Sequence, residues 1–133
     1  MNKQDRIQEK AMQFQGLQQR LRGLEQKEQM LLQAIDELER AKLALKDLKK
    51  SKGDAYIPLG ANNFVLGEVK ENEKVLIAIG AGIAVKKDRE EAIKVSDERL
   101  KEFQAESDKV MKEIRKMSNE LGKIQTDIET LRK

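Results

Sequence analysis

Two long proline-free stretches repeat their apolar residues every seven positions, and that repeat limits what the chain can fold into. In the first, from about Lys3 to Lys50, position a is Ile7, Phe14, Leu21, Glu28, Ile35 and Lys42. Position d is Lys10, followed by five leucines: Leu17, Leu24, Leu31, Leu38 and Leu45. This is the pattern of a coiled-coil helix, and at about 1.5 Å per residue it would be roughly 70 Å long. It should stop near Lys49-Lys50-Ser51-Lys52-Gly53, where lysines suit a helix C-terminus and glycine suits the left-handed position after it. A second helix is predicted to start at Asp88-Arg89-Glu90-Glu91, an N-cap acid with a glutamate three residues on. Its position a reads Ile93, Leu100, Ser107, Ile114, Leu121 and Ile128, and its position d reads Ser96, Phe103, Val110, Met117, Ile124 and Leu131.

An antiparallel helix hairpin requires facing residues whose numbers share a constant sum, and these two repeats satisfy it. Leu17 faces Leu121, Leu24 faces Ile114, Leu38 faces Leu100 and Leu45 faces Ile93, so that each a meets a d. Ile7 with Leu131, Phe14 with Ile124, Leu21 with Met117 and Ile35 with Phe103 fall in the same register. Weak layers coincide: Lys42 faces Ser96, and the layers Leu31 with Ser107 and Glu28 with Val110 each carry one polar member. Gly16, Gly23 and Gly122 sit inside the helices, each costing about 1 kcal/mol relative to alanine. The end of the hairpin that carries them is therefore expected to fray.

Between the repeats the pattern changes to short runs of Val, Ile, Leu, Phe and Tyr broken by Gly and Asn. Four strands are predicted, near Tyr56 to Leu59, Phe64 to Lys70, Lys74 to Ile79 and Ile83 to Lys86. They form two hairpins, turning through Gly60-Ala61-Asn62-Asn63 and Gly80-Ala81-Gly82 and joined by Glu71-Asn72-Glu73. Val75, Ile77 and Ile79 would share one face of the third strand, yet Leu76 and Ala78 on the other are apolar too. Helices zipped to each other cannot cover both faces, so other chains must. The expected architecture is α+β: a coiled-coil helix over 1–53, an assembly head of two β-hairpins over 54–87 and a second coiled-coil helix over 88–133. Ile57, Leu59, Phe64, Leu66, Val75, Ile77, Ile79, Ile83 and Val85 are the candidate oligomerisation residues, joining a shared sheet or closed β-barrel platform.

Composition narrows the function. Of 133 residues, 38% are hydrophobic, 3% aromatic and 38% charged, which suits seams rather than a large core, and the charge richness without Cys would also suit a thermophile. The net charge of +3 is spread through mixed signs with no aromatic interleaving, which gives little support to nucleic-acid binding by stacking. No apolar run approaches the roughly 20 residues of a membrane span, and Met1-Asn2-Lys3-Gln4-Asp5 is unlike a secretory signal. A cytoplasmic protein without a membrane partner is expected.

No enzyme chemistry is expected and no cofactor or metal. There is no His or Cys, and Ser51, Ser96, Ser107 and Ser118 lie in charged helical context with no base to activate them. Gly80-Ala81-Gly82 imitates the start of a phosphate-binding fingerprint, but Val85 stands where the third glycine is due, so a hairpin turn is the better reading. Glu90 and Glu91 are adjacent on a helix and point apart. Lys42, Lys46, Lys49, Lys50, Lys52, Lys86 and Lys87 could form a basic collar for an acidic partner, although a charged surface that keeps the assembly soluble is the simpler reading.

Ile57-Pro58-Leu59-Gly60-Ala61 followed by Phe64, and Val75-Leu76-Ile77-Ala78-Ile79-Gly80-Ala81-Gly82-Ile83-Ala84-Val85-Lys86-Lys87, resemble the head of an archaeal prefoldin α-class subunit. The resemblance spans the whole chain in architecture and is specific in sequence over about the central quarter. It implies a hexamer of two α-like with four β-class subunits, built on a double β-barrel from which coiled coils hang. It further implies an ATP-independent holdase chaperone that grips unfolded client proteins at the coiled-coil tips and passes them to a group II chaperonin. The client-binding positions would be Ile7, Met12, Phe14, Leu17, Ile124, Ile128 and Leu131, placed by position along the helices. Some relatives of this class assemble alone into filaments, so self-assembly into a structural spacer or filament is the alternative reading.

Overall fold

A computed structural model of the chain describes residues 2–48, 54–70 and 74–133. The element order is α1 (Lys3–Leu48), β1 (Asp54–Gly60), β2 (Asn63–Glu68), β3 (Val75–Gly80), β4 (Ile83–Lys87) and α2 (Arg89–Arg132). Both helices open on a side-chain cap that satisfies an otherwise orphaned amide. Asp88 Oδ1 accepts from the Glu91 amide at 2.9 Å, as the sequence predicts, and Asn2 Oδ1 accepts from the Asp5 amide at 2.8 Å, which it had not singled out. The lysines and Gly53 expected to end the first helix, and the Glu71-Asn72-Glu73 connection, lie outside the described residues.

The chain divides into two compact units. The first, Met1–Ala34 with Phe103–Lys133, is a pair of antiparallel helical segments. Every a and d residue of its described seam is half-buried or buried, with Val110 and Leu121 the most enclosed of its apolar residues. Cross-helix polar links accompany the seam: Lys10 Nζ to Asp127 Oδ2 at 3.2 Å and Lys27 Nζ to Glu106 Oε1 at 2.8 Å. Two of the weak layers resolve each other. Glu28, 8% exposed, reaches one helical turn past Val110, and Ser107, 6% exposed, donates its hydroxyl to Glu28 Oε1 at 2.5 Å.

At the glycine-bearing end α1 is helical from Lys3 and α2 through Arg132. Gly16, Gly23 and Gly122 occupy exposed positions inside continuous helix. A glycine weakens a helix without interrupting its hydrogen bonds, and the seam residues around these three hold it: Leu17, Leu21, Leu24 and Leu121.

The second unit, Ile35–Glu102, contains the hairpins and the adjoining helical segments. Its strands form two separate two-stranded antiparallel sheets, β1 with β2 and β3 with β4. The sheets share one design at an interval of twenty residues: Ile57, Gly60, Ala61 and Val65 recur as Ile77, Gly80, Ala81 and Val85. In each, the two-residue loop needs positive φ at both positions, met by Ala61 (50°) and Asn62 (64°) and by Ala81 (52°) and Gly82 (72°). Each also breaks register one residue before the turn glycine, at Leu59 and at Ile79. That bulge corrects the expectation for β3. Val75 and Ile77 share a half-buried face, while Ile79 sits in the irregular step and is exposed. The strand ends also differ from expectation, since β1 begins two residues early at Asp54 and β2 ends at Glu68, short of Lys70.

Candidate assembly and binding surfaces

The hairpins leave large apolar side chains in water. Leu59, Phe64, Leu66, Ile79, Ile83 and, less fully, Ile57 are exposed. Tyr56 at 71% and Leu76 at 64% belong with them, although the sequence reading had not included either. Tyr56, Phe64 and Leu66 alternate along paired strands and so occupy one face of the first hairpin, with Asp54 and Glu68 at its base. Ile57 crosses beneath Gly67 on the other face, where a Cβ on residue 67 would collide with its Cδ1. This contact explains a glycine in mid-strand.

Three predicted assembly residues are placed differently. Val75, Ile77 and Val85 are half-buried within their own unit, which corrects the view that only other chains cover them. Arg99 donates to the Ala78 carbonyl at 3.3 Å, fastening β3 to the third turn of α2. Ala92, Val95 and Arg99, one helical face beside the α2 seam, lose exposure accordingly. This cover depends on a tertiary contact for which the heptad pattern carries no signal.

Of the predicted tip residues, Ile7, Phe14, Leu17, Ile124, Ile128 and Leu131 are half-buried in the seam, while Met12 is 70% exposed. An open cleft of about 500 Å³ lies between the two helical segments of the first unit, lined by Gln13, Gly16, Leu17, Arg20, Glu120, Lys123 and Ile124. Gly16 contributes no side chain to it, and nothing lies within 4 Å of where a Cβ would be. The cleft therefore has a floor of Leu17 and Ile124 and a charged rim. Its position was legible only as a glycine in a helix.

Electrostatics around the seam is local. The hydrogen bond from Lys27 holds the Glu106 carboxyl below its ordinary range, and the same bond raises the Lys27 amine above its own. Lys42, an a-position lysine beside the Ser96 layer, turns its amine to Asp97, and that bond lowers the Asp97 pKa. One lysine of the predicted basic collar is thus engaged within its own unit. Among the described residues no group of His, Cys, Asp or Glu is arranged to hold a metal ion, and no helix is long and apolar enough to cross a membrane.

Comparison with known proteins agrees with this architecture. Residues 17–133 match the family model described as prefoldin subunit. The chain is 30% identical over 109 residues to prefoldin subunit alpha of Methanobrevibacter smithii, covering 81% of this chain and 75% of that one. It is 30% identical over 100 residues to prefoldin subunit alpha 1 of Thermococcus kodakarensis, covering 74% and 68%. In fold it is similar to filamentous PFD of Methanocaldococcus jannaschii, solved by cryo-electron microscopy, with a TM-score of 0.73 and 19% identity over 87% of this chain and 98% of that one. Two heptad helices, a pair of like hairpins between them and a family match over most of the length lead to one conclusion: the chain belongs to the prefoldin family of chaperones and is similar to its archaeal α subunits.

Proposed function

We propose that this chain is one subunit of an ATP-independent holdase, which captures unfolded proteins at the ends of its helix pair and passes them to a group II chaperonin. The three segments divide the work: 54–87 assembles the complex, and 1–53 with 88–133 reach out to the client. The partners are other prefoldin subunits, two α-type with four β-class, in the cytoplasm. The observation that carries the reading is the open cleft beside Gly16, with Leu17 and Ile124 at its floor and an exposed methionine, Met12, one turn away. Unfolded chains offer irregular apolar segments, and a shallow cleft with a flexible, polarisable methionine beside it suits many of them weakly rather than one tightly. Ile7, Phe14, Ile128 and Leu131 extend the same apolar strip toward the chain ends.

The test is aggregation of a denatured model protein, followed by light scattering, with and without the assembled complex. Protection is expected from the full chain. Removing residues 1–16 and 122–133 should abolish it while the size of the assembly is retained. Full protection by the truncated chain would move the client site elsewhere.

A further inference from the structure

At the root of the hairpins a small pocket of about 60 Å³ lies where α1 ends, the first hairpin leaves, the second enters and α2 begins. It is lined by Leu48 at the end of α1, Val69 and Lys70 just after β2, Lys74 and Val75 at the start of β3, and Arg89 at the start of α2. Leu48, Val69 and Val75 are half-buried and give it an apolar floor. Lys70, Lys74 and Arg89 bring positive charge to the same space from three separate places in the chain, where like charges repel. None of these three cations has a hydrogen-bond or ion-pair partner among the described residues. Asp88, Glu90 and Glu91, the acids beside Arg89 in sequence, do not line the pocket, and Asp88 is occupied in capping α2.

We infer that this pocket binds a free oxyanion carrying two negative charges, for which inorganic phosphate is the probe. Size selects the class. Pockets that hold drug-sized organic ligands begin at about 300 Å³, so a nucleotide does not fit here, whereas a single tetrahedral ion does. Charge selects within the class, because a singly charged carboxylate offsets less of the gathered positive charge than a dianion does. The side chains suit such an ion: Arg89 offers a planar fork of donors, and the two lysines offer compact charges on flexible stems. The aliphatic floor excludes water from one side, and the lower dielectric there strengthens the attraction. A bound ion ties the end of α1, the exit of the first hairpin, the entry of the second and the start of α2 to one another. None of the three cations is a candidate assembly or client-binding residue, and the site needs no second chain, so the inference is independent of client capture.

Phosphorus NMR of inorganic phosphate, titrated with the full chain at fixed ionic strength, should show saturable binding at a single site. R89Q and K70Q/K74Q should each weaken it about ten-fold. Lys70 and Lys74 lie outside the helices and strands, so K70Q/K74Q tests the site even where R89Q disturbs the start of α2; circular dichroism checks that helix content is kept. K94Q/K101Q removes as much charge as K70Q/K74Q from exposed positions of α2 outside the pocket, and should leave the affinity within about two-fold. Sulfate, of like shape and charge, should displace phosphate, and acetate should not. Glu71 and Glu73 stand between the two lysines in sequence, and E71Q/E73Q should bind phosphate at least as tightly as the native chain. The inference is overturned if the native chain shows no saturable binding, or if K94Q/K101Q costs as much affinity as K70Q/K74Q, which is diffuse attraction. It is overturned equally if phosphate binds only after E71Q/E73Q, since the chain's own carboxylates then neutralise the pocket. None of these readouts involves a client, so a failure here and a failure of the holdase reading are separable.

Discussion

The most consequential side chains are two that break the apolar repeat. Glu28 is buried with one carboxylate oxygen bonded to Ser107 and the other, Oε2, without a partner. A half-satisfied buried carboxylate costs stability, so the pair is better explained by the alignment it imposes than by any strength it adds. Ser107→Ala removes the remaining partner and should lower stability by about 1–3 kcal/mol. The double change E28L/S107L should instead raise it by about 1–4 kcal/mol. Thermal unfolding followed by circular dichroism checks both. A Ser107→Ala chain as stable as the native one would mean that water already satisfies the carboxylate. The sequence exposed both residues as flaws in neighbouring layers, but not their meeting, because a constant sum fixes which layers face each other and not how far a long side chain leans along the seam.

At the scale of elements, the helices were legible and the hairpins only partly so. A heptad sustained over six turns of the repeat averages out local exceptions, and every a and d position of the described helices is withdrawn from water. The strands were found from composition, and their turns from Gly60, Asn62, Gly80 and Gly82. The bulges at Leu59 and Ile79 left no compositional trace, since an extra residue beside a turn changes register without changing residue type. That difference selects the assembly mutant. Ile79→Lys places charge on an exposed bulge and should disrupt the oligomer with helix content intact, as measured by sedimentation and circular dichroism. Ile77→Lys buries charge in a half-covered face and should also loosen the hairpin. Loss of most helical signal with Ile79→Lys would contradict a head that assembles independently of the helices.

At the scale of the whole molecule, the proposed function joins two requirements that pull in different directions: a firm shared assembly and a yielding grip. The sequence proposes a place for each through where apolar residues have no obvious cover, and the candidate grip residues are the ones least open to such reading, because seam and client would make the same demand on Leu17 or Ile124. The three helical glycines separate them. No atom lies within 4 Å of a Cβ built on Gly16, Gly23 or Gly122, so alanine fits at each without a clash, and the triple change should stiffen the arms by about 2–3 kcal/mol. A chain that melts later yet shields unfolded protein less well would identify the missing methyl groups as a source of give, thermal endurance having been traded for a hold that adjusts to whatever it meets.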